Sequence, residues 1–202
     1  LIDARGHGKS GRPESGYSYE AQVTDLVDVM RHLEVEDCVL MGHSMGAQTS
    51  AMAAAAAPEL VLEDPPWRGQ MPKAPGGTKY GDLIAYFSEM DLDEIRESCR
   101  MLHPGWHEDE VDPWARSKHE IANGVVAALR PINWEQTVDS LHCPTLLLTG
   151  DVGSGAIVTR AIADAAVQRN PKLKEVRIGG AGHSIRRDRR EQFLEALRRF
   201  LF

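Results

Sequence analysis

Hydrophobic residues in this chain form two kinds of pattern that follow one another along the sequence. Short apolar runs, typical of strands buried on both faces, occur at 38–41, 60–63 and 144–149, and a further strand is predicted at 175–178. Segments whose apolar residues recur at helical spacing, or that are rich in alanine, occur at 19–33, 45–57, 156–167 and 187–202. Because strands and helices alternate, the pattern predicts an α/β fold with a mostly parallel sheet and helices on its faces.

The middle of the chain departs from this alternation. Residues 65–142 contain no strong strand pattern, and all four tryptophans lie there: Trp67, Trp106, Trp114 and Trp134. We therefore predict a core formed by 1–64 and 143–202 and a helical cap inserted at 65–142. Leu1 and Ile2 have the character of the end of a buried strand, so we expect the first strands of the fold to precede the sequence.

Composition narrows the possible functions. The 202 residues are 42% hydrophobic and 26% charged, which is ordinary for a folded domain and argues against disorder. A net charge of −7 gives no electrostatic footprint for nucleic acid. We expect no membrane span and no secretory leader, and three cysteines without metal spacing favour a reducing, cytoplasmic location. The sequence does not indicate an oligomeric state.

The strongest chemical motif is Gly42-His43-Ser44-Met45-Gly46, which lies between a predicted strand and a predicted helix. This G-x-S-x-G context predicts a sharp turn that exposes the Ser44 hydroxyl as a nucleophile at the carboxyl edge of the sheet. The Met45 N–H is then the expected oxyanion donor, since it opens a helix. We expect both glycines of the motif to prevent collisions between strand and helix.

A serine nucleophile requires a base, and His183 is the best-placed histidine. It lies in Gly179-Gly180-Ala181-Gly182-His183-Ser184, after the last predicted strand and before the last helix. In a parallel sheet this loop lies at the same edge as Ser44. The neighbouring arginines at 186, 187, 189 and 190 are expected on the solvent face of the last helix.

Several motifs in this order resemble the α/β-hydrolase family, specifically its cap-bearing serine esterases and lactonases. The resemblance covers nearly the whole chain: 3–10 resembles the loop after the family's fourth strand, and 42–46 its nucleophile turn. In the same way, 144–151 resembles its seventh strand and acid turn, and 180–184 its histidine loop. The family's early strands and first oxyanion loop are absent from this sequence.

The resemblance implies a Ser-His-acid triad, but two positions for the acid remain open. The usual position, about three residues beyond the glycine of the seventh strand, holds Gly153, whereas Asp151 follows Gly150 directly. Some members place the acid after the sixth strand, which gives Asp64, with Glu63 as a weaker candidate. We slightly favour Asp64 over Asp151.

The resemblance also implies a reaction. It indicates hydrolysis of a carboxylic ester or lactone of a small-molecule substrate, without cofactor or metal, and with His43 and Trp67 expected to contact the substrate. Carbon–carbon bond hydrolysis on the same fold and a non-catalytic binding module are the alternatives.

Two weaker motifs are not expected to bind ligands. The glycines at 6, 8 and 11 match a dinucleotide or phosphate loop, but no helix follows at once and Asp3 would repel phosphate. His103 and His107 are separated by Pro104 and Gly105, which would break a helix that aligned them on a metal.

Overall fold

The computed structural model describes residues 1–68, 86–122, 124–125 and 131–202. The chain divides into two compact units. One consists of Leu1–Ala21 and Met71–Arg130, and the other of Gln22–Gln70 and Pro131–Phe202. We call the first the helical unit and the second the sheet unit.

The sheet unit is built on four parallel strands in the spatial order β1-β2-β3-β4. They are β1 Val39–His43, β2 Glu59–Glu63, β3 Thr145–Thr149 and β4 Leu173–Arg177. This confirms the predicted α/β class and places each strand within two residues of its predicted start. Because all four strands run in one direction, the loops that follow them meet at one carboxyl edge.

The helices that accompany the sheet are α1 Tyr19–His32, α2 Met45–Met52, α5 Trp134–Asp139, α6 Arg160–Arg169, α7 Ile185–Asp188 and α8 Arg190–Leu201. Three predicted helices differ in their bounds. The helix predicted to run to 57 ends at Met52, and a short 3-10 helix over Ala54–Ala56 follows it. The helix predicted to start at 156 starts at 160, where the Thr159 hydroxyl caps it by accepting from Ile162 N at 3.3 Å. The last predicted helix is two helices, because Arg189 between them has the non-helical angles φ −143° and ψ 61°.

Side chains from successive strand positions enter different cores, which explains the continuous apolar runs in the sequence. Leu60, Leu62 and Leu147 pack into a cluster that includes α2 and α6 residues. Val61, Leu146 and Leu148 pack with Ile185 and with α8 residues in a second cluster. The two central strands are therefore covered on both faces, and every position of β3 is buried, whereas Val39 and Met41 of β1 are exposed.

Close contact between α2 and β1 requires a glycine at position 42. A Cβ built there would lie 2.2 Å from the Gly46 carbonyl oxygen, which no side chain could tolerate. The expectation for Gly46 was wrong: a Cβ there meets none of the described atoms within 4 Å. Among the described residues, steric crowding therefore requires a glycine at 42 but not at 46.

The helical unit contains α3 Leu92–Leu102 and α4 Val111–His119. A capping box begins α3, with Asp91 accepting from Asp93 N and Glu94 N, and with Glu94 bonded back to Asp91 N. The two helices share a buried cluster formed by Phe87, Ile95, Cys99, Val111, Trp114 and Ala115. Trp67 and Trp134, which the sequence placed in the insertion, pack in the core of the sheet unit.

The N-terminal segment is part of the helical unit. Gly8 N donates to Glu120 O at 2.8 Å, Ala122 N donates to Gly6 O at 2.7 Å, and His7 forms an antiparallel bridge with Ile121. Leu1 and Ile2 are exposed and lie in no strand of the described residues.

Among the described residues, no helix has the length and apolar content needed to cross a membrane.

Candidate active site

Ser44 occupies a strained turn between β1 and α2. Its backbone angles are φ 53° and ψ −119°, and a positive φ is unfavourable for a residue with a side chain. The turn is held from the neighbouring strand, since Ser44 N donates to Glu63 O at 2.9 Å. Met45 is the first residue of α2, so its N–H has no acceptor within the helix.

His183 is paired with Asp64 at the same edge of the sheet. The His183 Nδ1–H donates to Asp64 Oδ2 over 2.6 Å. The Asp64 side chain is fully buried, whereas a third of the His183 side chain is exposed. With Nδ1 carrying the proton, Nε2 of the neutral ring is left as an acceptor. Within the described residues, the Ser44 hydroxyl makes no hydrogen bond to this ring.

The buried carboxylate of Asp64 is compensated by main-chain donors. Val158 N donates to Oδ1 at 2.9 Å, and Ile157 N donates to Oδ2 at 2.8 Å. Asp64 N itself donates to Leu148 O at 2.9 Å, which attaches the turn to β3. These bonds offset the cost of burying a charge and hold the carboxylate in one orientation towards His183.

Asp151 is bonded to Arg177 and to the backbone of the histidine loop. Its Oδ1 accepts from the Arg177 guanidinium at 2.6 Å, and its Oδ2 accepts from Gly180 N at 2.5 Å. The Gly180 N–H and then Arg177 hold the pKa of the Asp151 carboxyl below its usual value. The structure thus brings Asp64 to the imidazole, and it brings Asp151 to the backbone three residues before it.

Glu63, the third acid considered, is fully buried and bonded to Arg186. Its two oxygens accept from Arg186 N and from the Arg186 guanidinium, each at 2.9 Å. Burial raises the pKa of Glu63, although Arg186 acts in the opposite direction. Sequence reasoning missed this pair and placed Arg186 on the solvent face. No local signal could have revealed it, because the partners are 123 residues apart.

His43, which precedes Ser44, contacts His183 rather than open solvent. Its Nε2–H donates to the His183 carbonyl oxygen at 2.8 Å, and the two ring centroids are 4.5 Å apart. Burial, followed by the charges of His183 and Arg186, lowers the pKa of His43 to about 3. His43 is therefore neutral at physiological pH.

Comparison with known proteins gives the family. A model of the "Alpha/beta hydrolase family" matches residues 1–196. The chain belongs to the α/β-hydrolase family.

Relatives of this hydrolase act on several kinds of substrate, according to their names. It is 28% identical over 220 aligned positions to an N-formylmaleamate deformylase of Pseudomonas putida, covering 100% of the chain and 77% of that protein. It is 25% identical to a putative esterase/lipase of Haemophilus influenzae, covering 99% of the chain and 72% of that protein. The crystal structure of an N-formylmaleamic acid deformylase from Pseudomonas putida S16 superimposes with a TM-score of 0.79 at 24% identity. That superposition covers 96% of the chain and 79% of the deformylase, and it shows a shared fold.

Trp67 does not occupy the position expected for a substrate contact in this hydrolase. Its side chain is completely buried, and the indole N–H donates to Gln48 Oε1 at 2.8 Å. Its ring stacks on Trp134 with centroids 6.4 Å apart, and Gln48 is in turn bonded to Thr137 at 3.0 Å. Because the indole ring packs against core residues and its N–H is hydrogen-bonded inside the core, Trp67 is a packing residue.

In the glycine loop at 6–11 and at the histidines 103 and 107, the contacts are made by side chains of the hydrolase itself. Asp3 accepts from Lys9 N at 3.0 Å, and a Cβ at Gly8 would lie 2.3 Å from the Asp3 carboxylate. The carboxylate therefore fills the glycine loop where a phosphate would have to bind. His103 stacks on Trp106 at 3.8 Å, whereas His107 lies 3.2 Å from Asp109, so the two histidines have separate partners.

The low pKa of His43 predicts a loss of stability in acid. The folded hydrolase holds this ring neutral down to about pH 3, whereas the unfolded chain takes up a proton near the ordinary pKa of 6.5. The contribution of the neutral His43 to the free energy of unfolding is then fully present above about pH 6.5 and falls as the pH decreases towards 3. From pH 7.5 to pH 5, the contribution lost is about 2 kcal/mol.

Urea unfolding of the wild type and His43→Gln at both pH values measures this contribution. Other titrating groups are common to both proteins. Between pH 7.5 and pH 5, the free energy of unfolding should therefore fall by about 2 kcal/mol more in the wild type than in the variant. Equal losses in the two proteins would show that His43 takes up its proton in the folded state.

Proposed function

We propose that this α/β hydrolase cleaves a carboxylic ester or lactone through an acyl-enzyme formed on Ser44. The observation that carries the proposal is the buried Asp64 paired with His183 at the edge where the strained turn presents Ser44. This arrangement supplies a nucleophile, a base and a group that orients the base. A third of the His183 side chain is exposed.

In the first half of the reaction, Ser44 Oγ attacks the substrate carbonyl while His183 Nε2 accepts the hydroxyl proton. Asp64 stabilises the imidazolium that forms, since its carboxylate is 2.6 Å from Nδ1. The Met45 N–H donates to the developing oxyanion. His183 then protonates the leaving alcohol, and the acyl group remains on Ser44.

In the second half, water replaces the alcohol. His183 Nε2 accepts a proton from the water as its oxygen attacks the acyl carbon. Collapse of the second tetrahedral intermediate returns the proton to Ser44 Oγ and releases the carboxylic acid. Every proton transfer uses the same imidazole, so the tautomer fixed by Asp64 is required twice in each cycle.

A second candidate is hydrolysis of an N-acyl bond. The observation that favours it is the match to the deformylase, whose name gives removal of a formyl group from N-formylmaleamate, over the whole chain. Serine, histidine and acid would act in the same roles, with nitrogen as the leaving atom. A panel containing a p-nitrophenyl ester, a lactone and an N-formyl amide distinguishes the candidates by their ratios of kcat/KM.

Covalent labelling with a fluorophosphonate tests the serine chemistry itself. The reagent should modify Ser44 in the folded wild type, located by peptide mass spectrometry, because activated serines react far faster than ordinary ones. Ser154→Ala, which removes an exposed hydroxyl, is the matched control and should label like the wild type. Absence of label on folded wild type would overturn the catalytic proposal and favour a binding module.

A further inference from the structure

His43 connects the two loops that carry the proposed nucleophile and base. It is the last residue of β1 and is covalently joined to Ser44. Its Nε2–H reaches across to the main-chain carbonyl of His183 at 2.8 Å. The two rings also lie against each other, with centroids 4.5 Å apart and planes at 45°. His183 is thus held by a direct hydrogen bond to the residue that precedes Ser44.

The hydrogen bond to Asp64 alone does not define the position of the His183 ring. It holds one atom, Nδ1, and leaves the ring free to pivot about that contact. The carbonyl of His183 is a second point of attachment, on the main chain of the same residue. The first bond holds the imidazole and the second holds the main chain from which it extends, so together they restrict the direction in which Nε2 faces.

The chemical state of His43 suits this role. A carbonyl oxygen only accepts, so the bond requires a proton on Nε2 of His43. The groups whose charges act on His43 are His183, Arg186 and Arg187, all on the histidine loop or α7, and all of them disfavour a charged ring at position 43. A neutral donor can remain beside His183 when the latter becomes an imidazolium, whereas a second cation would repel it.

We propose that His43 is a positioning residue, whose Nε2–H bond to the His183 carbonyl sets the placement of the imidazole relative to Ser44. This inference rests on the proposed serine mechanism. It replaces the expectation that His43 contacts the substrate, because its donor is already bonded to His183. A positioning role predicts an effect on kcat, with little change in KM.

Three variants of His43 separate the effect of its hydrogen bond from the effect of the shape of its ring. Gln places an amide nitrogen near the position of Nε2, so His43→Gln should retain kcat within about threefold. His43→Phe keeps a ring without a donor, and His43→Asn has a donor that is too short to reach. Both should lower kcat about 10- to 100-fold with KM changed less than about threefold, since a displacement of about 1 Å costs that much.

A matched control is His142→Phe. His142 also bonds to a main-chain carbonyl, that of Ser140 at 3.0 Å, but it precedes β3 and so lies at the opposite edge of the sheet. Its replacement should leave kcat unchanged. Circular dichroism and thermal unfolding establish that each variant is folded, and His43→Asn alone serves as the test if His43→Phe fails to fold.

A readout that needs no turnover is the proton NMR signal of His183 Nδ1–H. A bond of 2.6 Å to Asp64 should give a resolved downfield resonance, assigned by its loss in His183→Ala. It should be retained in His43→Gln and broadened or shifted in His43→Phe and His43→Asn.

Three results would overturn the inference. They are wild-type kcat with an unmoved resonance in His43→Phe and His43→Asn, a rise in KM at constant kcat in those variants, or equal losses of kcat in His43→Gln and His43→Phe. If the wild type neither labels nor turns over, the serine mechanism fails, and the resonance still decides the role of His43.

Discussion

Ser44→Ala is expected to lower kcat for ester hydrolysis by about 10⁴-fold or more. The variant removes the atom that forms the acyl-enzyme, and only the oxyanion donor and substrate binding remain to accelerate the reaction of water. His183→Ala should cause a comparable loss, because without a base the hydroxyl of Ser44 is a weak nucleophile. Steady-state kinetics on the best substrate of the panel measures both.

The double variant gives the sharper result. If Ser44 and His183 act as one unit, combining the two substitutions should lower kcat little further than either alone. Additive losses would show that the two residues contribute independently, which contradicts the proposed proton transfer between them. Retention of most activity in Ser44→Ala would exclude this serine as the nucleophile.

Asp64→Asn is expected to lower kcat on the order of 10⁴-fold. The amide would face His183 Nδ1 without the negative charge that stabilises the imidazolium and fixes the tautomer. Asp151→Asn should cost at most about tenfold, since Asp151 acts through the backbone at Gly180 and not on the ring. The comparison measures the two aspartates in one assay at one pH.

Glu63→Gln is the matched control for Asp64→Asn, since both replace a fully buried carboxylate at the end of β2. It should reduce thermal stability by weakening the pair with Arg186, while kcat falls far less than in Asp64→Asn. A larger loss of kcat in Asp151→Asn or Glu63→Gln than in Asp64→Asn would assign the orienting acid to that residue.

The sequence by itself determined the parallel sheet and the position of the nucleophile turn. Parallel strands buried on both faces are rich in apolar residues, and 60–62 and 146–148 carry that pattern. A serine between glycines, at the step from such a strand to a helix, is a local property of the chain. Helices within 65–142 were predicted only from the absence of a strand pattern, and α3, with its capping box, is one of the helices found there.

Which residues contact each other across the fold was decided only by the tertiary structure. Asp64 and Asp151 both follow strands that end at the same edge, so their positions in the sequence could not separate them. Asp64 reaches His183 across 119 residues because 157–158 supply the N–H donors that hold its carboxylate. Trp67 follows β2 closely, yet a bond to Gln48 and a stack on Trp134 place it inside the core.

The same limit applies to His43, whose sequence position beside Ser44 suggested a substrate contact. Its partner is the carbonyl of a residue 140 positions away, brought within 2.8 Å by the folding of the sheet. A main-chain carbonyl is present at every residue, so no pattern of side chains indicates which one will accept the bond. Local sequence defines the strand, the turn and the loop, whereas the packing of parallel strands decides which atoms meet at their ends.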